Sequence, residues 1–257
     1  MPRFLAKTAA LVLAAATLAA APVARAQSFN DAQKSEIGRI VHDYLVQNPE
    51  VLREAIAELD KRQKAEETAQ RETAIETVKN QIFDSKYQVV VGNPQGKITL
   101  VEFFDYNCGY CKKALGDLSK LAKDNPDLRI LLRDFPVLGP GSVEAARVAM
   151  ATSKQIQGDR FWAFHQKLLG GRGQAGKEQA LAAARDAGVD MSKLEKDMNS
   201  PDIRAAYEEV MHVADKLALT GTPSWVMGKE VIVGAVGYDE LNSKIANFRK
   251  CGKTSCG

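Results

Sequence analysis

Two apolar runs, KITLVEFFDY (residues 97–106) and LRILLRDFPV (128–137), enclose the amphipathic stretch CGYCKKALGDLSKLAKDNP. Near-continuous apolar runs of this length suit strands covered on both faces. Leu115, Leu118, Leu121 and Ala122 recur at helical spacing between them, and Asn125-Pro126 ends that helix. Strand, helix, strand in this order is a βαβ unit, whose crossover is right-handed. This unit excludes an all-helical or all-β chain, and it places Cys108 and Cys111 at the junction of the first strand with the helix.

The flanking sequence extends the α/β pattern. YQVVVGN (87–93) reads as a strand closed by the turn Asn93-Pro94-Gln95-Gly96. SWVMG (224–228) and EVIVG (230–234) read as a hairpin, and a last helix starts near Tyr238. Residues 142–219 hold only helical patterns, broken near Gly158, Gly170-Gly171, Gly188 and Ser200-Pro201. An α/β domain over 85–249 is therefore expected, with a helical insertion over about 142–219 and a tail, 250–257, carrying Cys251 and Cys256.

The first 84 residues follow different rules. Arg3 and Lys7 precede an Ala/Leu/Val run, and Ala24-Arg25-Ala26 has the small-x-small form of a cleavage site. Residues 1–26 are read as a secretory signal peptide. The competing reading is a membrane anchor, but the uncharged stretch 8–24 is mostly Ala and barely long enough to span. The formal net charge of +3 disappears once Arg3, Lys7 and Arg25 are removed (+3 − 3 = 0). No basic footprint for nucleic acid or for a membrane surface is left.

Ile37, Ile40, Val41, Tyr44 and Leu45 line one face of a helix, and Asn48-Pro49 ends it. Asn48 as N-cap and Pro49 as first residue would start a second helix carrying Val51, Leu52, Ala55, Ile56 and Leu59. Two short amphipathic helices cannot bury both apolar faces alone, so 27–59 is expected to oligomerise. Residues 60–74 carry eight charges in fifteen positions, four of each sign, and no large apolar side chain. They read as a solvated helix within a charged linker, 60–84, without the heptads of a long coiled coil.

The spacing of Cys108 and Cys111 fits a redox pair, half a metal site or a structural disulfide. Zinc needs four ligands, and His42, His165 and His212 show no partner spacing. A bridge across four residues constrains little of the unfolded chain. The redox reading has a mechanism. Cys108 would start a helix, where free N–H groups and the dipole favour an anion. Its thiolate would attack a substrate disulfide, and Cys111, one turn on, would resolve the mixed disulfide. Dropping a thiol pKa by two units takes about 2.7 kcal/mol, more than the dipole supplies, so direct hydrogen bonds to sulfur are also required. Electrons stay on sulfur, so no cofactor and no metal is expected. Cu(I) bound by the two soft thiolates is the rival from another class.

Phe103-Phe104-Asp105-Tyr106 followed by Cys108-Gly109-Tyr110-Cys111, with RDFPVLGPGSVEAARVAM (133–150) and GTPSWVMG (221–228), resembles the thioredoxin-fold DsbA superfamily over about residues 87–248. The helical segment ahead of such a domain resembles the copper-sensitivity-suppressor proteins (ScsC), trimeric disulfide isomerases or oxidases. The resemblance implies a thioredoxin fold and a periplasmic thiol–disulfide oxidoreductase, most simply a disulfide isomerase, with a dithiol oxidase as the alternative. It implies disulfide-containing protein substrates, a membrane redox partner and a homotrimer assembled through residues 27–59. It implies that Thr222-Pro223 is a cis-proline loop presenting backbone to the substrate. It places Glu102, six residues before Cys108, as a possible proton relay to Cys111; a surface Glu is the plainer alternative.

Weaker signals are read as structural. Gly171-x-Gly173-x-x-Gly176 matches a dinucleotide fingerprint but follows a helix, not a strand, and is taken as a flexible loop. Phe161, Trp162 and Phe164 are taken as helix core rather than a peptide-binding ridge. Cys251 and Cys256 are taken as a tail disulfide, with a second redox relay as the alternative.

Overall fold

The computed structural model describes residues 29–256; the expected signal peptide lies outside them. The chain divides into two compact units, one ending at Lys61 and the other beginning at Arg62.

In the first unit, α1 (Asp31–Gln47) starts with a capping box. The Gln33 N–H donates to Asn30 Oδ1 at 2.9 Å, and the Asn30 N–H donates to Gln33 Oε1 at 3.0 Å. Pro49 opens α2 (Pro49–Thr77) as expected. Asn48 does a different job from the one expected: its side-chain amide donates back to the Tyr44 carbonyl at 2.8 Å and closes α1. No residue of α1 is buried, and Ile37, Ile40, Val41, Tyr44, Leu52, Ile56 and Leu59 are all exposed. The expected second helix and the charged stretch form one continuous helix, α2.

In the second unit, the end of α2 and the short α3 (Lys79–Phe83) deliver Ile75, Val78 and Ile82 to the core. The linker expected over 60–84 therefore stops short of Ile75. Three apolar side chains at positions 75, 78 and 82 give one turn-spaced face, and that face is buried against the sheet domain.

The sheet has five strands in the order β1-β3-β2-β4-β5. They are β1 (Val89–Gly92), β2 (Ile98–Phe104), β3 (Leu128–Asp134), β4 (Ser224–Met227) and β5 (Glu230–Val233). β2 and β3 run parallel, joined through α4 (Gly109–Asp124), and the other three pairings are antiparallel. Six of seven residues in each of β2 and β3 are buried, which is why their sequence lacks an alternating polar face. Between β3 and β4 come α5 (Pro140–Ser153), α6 (Gly158–Leu169), α7 (Lys177–Asp186), α8 (Met191–Met198) and α9 (Pro201–Lys216), breaking where the glycines and Ser200-Pro201 predicted. α10 (Tyr238–Cys251) ends the fold. This is the expected thioredoxin architecture with a helical insertion.

One buried charge needs a partner to be tolerated. Arg133 of β3 donates to Glu209 of α9 at 2.7 Å and to the Gln81 carbonyl at 2.8 Å, while the Ser85 hydroxyl donates to the same carboxylate at 2.5 Å. This cluster ties α3 and α9 to the sheet. On the other side, Phe161 and Phe164 are buried and Trp162 stacks on His165. Phe161 and Phe164 are core, as expected, and Trp162 is half-buried against it.

Candidate active site

The turn from β2 into α4 is built by its own sequence. The Asp105 side chain accepts the Asn107 N–H at 2.7 Å, and the Asp105 carbonyl accepts the Cys108 N–H at 3.0 Å. An Asx residue mimicking a backbone turn in this way reverses the chain tightly. Cys108 is thereby set as the N-cap of α4, with extended backbone angles. The Lys112 N–H returns to the Cys108 carbonyl at 3.0 Å, so the first helical turn closes directly on the cysteine. Cys111 lies one turn along the same helix.

Both cysteines are unbonded and buried. The Thr222-Pro223 peptide bond is cis, and the Cys108 thiol donates to the Thr222 carbonyl at 3.1 Å. The structure therefore brings Cys108, Cys111, Thr222 and Pro223 together. Behind Pro223, its carbonyl accepts the Gly234 N–H at 2.9 Å, and the Trp225 indole donates to the Gly234 carbonyl at 2.9 Å, which anchors this loop to β4 and β5.

Glu102 is not the surface residue of the plainer alternative. It is 1% exposed, and its Oε2 has no partner among the described residues. Burial, and secondarily the Cys108 thiolate, pushes its carboxyl up to about 8. Burial first and then the Glu102 carboxylate push the Cys111 thiol up as well. A backbone hydrogen bond at Asp105 and the Thr222 side chain oppose that rise. Cys111 is thus reluctant to ionise, and burial holds the Glu102 carboxyl well above the usual carboxylate range.

Four further residues, Asp105, Asn107, Lys112 and Ser142, escaped the sequence reading. The Asp105 carboxylate, 1% exposed, accepts four hydrogen bonds: from Asn107 N–H, the Ser142 hydroxyl, and the N–H groups of Val137 and Leu138 at 2.7–2.9 Å. Asn107 donates to Ser142 Oγ at 2.9 Å and to the Ala175 carbonyl at 2.8 Å, and it accepts the Ala175 N–H at 2.7 Å. The signal for Asp105 and Asn107 was present as D-x-N immediately before a helix start. The loop over 171–176 is not loose, contrary to expectation. Asn107 holds it at Ala175, and the Lys112 ammonium donates to the carbonyls of Gly171 at 3.0 Å and Gly173 at 3.3 Å.

Cys251 and Cys256 stand apart from this site and are bonded to each other, with Cα atoms 6.2 Å apart. Among the described residues no group of three or more His, Cys, Asp or Glu side chains is placed to hold a metal ion.

Residues 99–246, more than half of the chain, match the family model described as a DSBA-like thioredoxin domain. The chain belongs to the DSBA-like thioredoxin family. Residues 33–66, ahead of the DSBA-like domain, match the copper resistance protein ScsC N-terminal domain. Among solved structures, a thioredoxin-like oxidoreductase from Silicibacter pomeroyi DSS-3 is 37% identical, with 67% of this chain and 98% of that one covered and a TM-score of 0.63. Proteus mirabilis ScsC in a compact conformation is 28% identical, with 85% of this chain and 98% of that one covered and a TM-score of 0.63. Disulfide bond formation protein D of Bacillus subtilis is 26% identical over 170 residues, 62% of this chain and 76% of that protein. Sodium/proton antiporter NhaA 1 of Salinispora arenicola is 24% identical over 160 residues, 62% of this chain, and the chain spans 24% of that protein's length.

Proposed function

We propose that the protein is a periplasmic thiol–disulfide oxidoreductase of protein substrates, and that its main reaction is disulfide isomerisation. The observation that carries this reading is the placement of Cys108 at the start of α4, against the Thr222 carbonyl, with Cys111 buried one turn behind. The Cys108 thiolate attacks one sulfur of a client disulfide. A mixed disulfide forms and a client thiolate leaves. That thiolate attacks elsewhere in the client, and a final client thiolate displaces Cys108, so no net electrons move. In the escape route a Cys111 thiolate attacks Cys108 Sγ. The client then leaves with two more electrons and the enzyme holds a Cys108–Cys111 disulfide.

The balance between these routes rests on Cys111. Burial raises its thiol, so resolution waits for deprotonation, with Glu102 as the base. A slow resolving step lengthens the life of the mixed disulfide and favours reshuffling. The exposed apolar faces of α1 and early α2, and the ScsC-type match over residues 33–66, support assembly through this segment, as a trimer. Several redox centres in one assembly would raise the local concentration of thiolate around a client. Among the described residues no helix is long and apolar enough to cross a membrane. A separate membrane protein would then reset the pair.

The test is the refolding of a scrambled multi-disulfide protein by the mature chain, with and without residues 29–61. Isomerisation by the full chain that falls to background in a monomeric truncated form, with dithiol oxidation retained, is the expected result. Oxidation without isomerisation by the full chain would convert the reading to a dithiol oxidase. Stoichiometric Cu(I) binding by the cysteine pair with no exchange activity would replace the proposal.

A further inference from the structure

We propose that Asn107 is a positioning residue that couples the nucleophile Cys108 to the helical insertion. The proposal rests on the reading of Cys108 as nucleophile. Asn107 precedes Cys108 directly, and its side chain is nearly saturated: both amide donor directions and the carbonyl oxygen are used. Its partners all belong to the segment between β3 and β4. Ser142 lies in the first turn of α5, and Ala175 ends the loop before α7. Pairing through both the N–H and the carbonyl of Ala175 fixes distance and orientation together, as one contact does not. Ser142 closes the network by donating to Asp105, which in turn holds the Asn107 N–H and the N–H groups of Val137 and Leu138.

Three loops meet in this network: the 105–108 turn, the 137–139 connection, and the 171–175 loop. The last is held a second time by Lys112, the residue after Cys111. The insertion thus grips the redox turn through the residue before one cysteine and the residue after the other. Cys108 benefits from the N-terminus of α4 only while its sulfur is kept at the N-cap position. Loss of the Asn107 side chain frees the turn from the insertion and lets that alignment relax. Displacement of the 171–175 loop by a bound client would act on the same linkage.

The test uses the reduced mature chain and iodoacetamide as the probe of Cys108. Asn107→Ala is expected to slow alkylation at pH 7 about tenfold, the size of one or two net hydrogen bonds. At pH 10, above the ordinary range of a free thiol, the rate should change less than about twofold. Ser142→Ala, a milder change inside the insertion, should move the pH 7 rate the same way by about threefold. The double variant should be no slower than Asn107→Ala alone, because both break one network. A drop in melting temperature with an unchanged ratio of pH 7 to pH 10 rates would overturn the proposal, as would multiplicative effects in the double variant. Loss of exchange in Cys108→Ser supports the nucleophile assignment independently. Exchange retained by that variant would remove the function reading and this inference together.

Discussion

The two cysteine pairs occupy opposite ends of helices. Cys108 is the N-cap of α4, where an anion faces the positive end of the peptide dipoles. Cys251 is the last residue of α10, followed by Gly252 in the left-handed conformation, where an anion would face exposed carbonyls. The first pair is buried, unbonded and set against a cis-proline loop. The second is bonded and lies beside a surface tail, with Cys251 exposed and Cys256 half-buried. Residue type is the same in both, so reactivity is a property of placement. In the proposed function, a helix start with an acceptor, a buried partner thiol and a buried carboxyl makes the redox centre. A helix end with a five-residue separation makes a clasp.

The sharpest way to break this contrast is to remove one pair at a time. Cys108→Ser should abolish exchange with a peptide disulfide, while Cys111→Ser should accumulate mixed disulfides with clients on a non-reducing gel. Cys251→Ser with Cys256→Ser should leave the exchange rate within about twofold, the range in which a distant change is expected to fall. A second redox relay in the tail would show instead as a large loss of turnover in that double variant.

Glu102 tests whether the buried carboxyl distinguishes the first site. Its folded pKa of about 8 lies above the unfolded value of 4.5. Between those values the native state binds more protons than the unfolded state, so its contribution lowers stability as pH rises through that window. Glu102→Gln should flatten this dependence and stabilise the reduced protein by roughly 2–4 kcal/mol at pH 8, with little change at pH 4. Denaturant melts at the two pH values measure it. The same variant should slow resolution by Cys111, seen as a longer-lived mixed disulfide in stopped flow.

The smallest expected effect belongs to the tail. Opening the Cys251–Cys256 clasp frees a short loop, so the loss of stability should be about 1–2 kcal/mol. A loss well above that would mean the tail helps hold α10 on the domain. The Asn247 side chain donates to the Thr254 carbonyl at 3.0 Å, and it is the residue to change next in that case.

The strands, the insertion and the placement of Cys108 and Cys111 at one helix start were legible because each has a local signature: apolar runs of strand length, glycines at helix ends, two cysteines at a strand-to-helix junction. The likeness to known proteins supplied Thr222, Pro223 and Glu102, which no spacing rule ties to Cys108. What stayed hidden is non-local. Ser142 meets Asp105 across 37 positions, and Ala175 meets Asn107 across 68. Nothing in PGSVEAA announces a hydroxyl aimed at a carboxylate. Asn48 misled for another reason: Asn serves either end of a helix, and here its amide closes the preceding one rather than opening the next. The apolar spacing of Ile75, Val78 and Ile82 is visible in the sequence, but nothing local tells a linker helix from the domain core, which resumes at Ile75.

That early resumption decides where the chain can be cut. A protease working in the charged, solvent-exposed stretch before Ile75 would leave a fragment that retains Ile75, Val78 and Ile82, together with Gln81 and Ser85 around the Arg133–Glu209 pair. Such a fragment keeps its interior filled. A fragment begun at residue 85 would lose three core side chains, each worth about 2–5 kcal/mol on truncation, and would leave Arg133 one acceptor short inside the protein. The shortest portable redox module therefore begins near the end of α2, and shuffling of this domain between proteins would have to carry a piece of that helix with it.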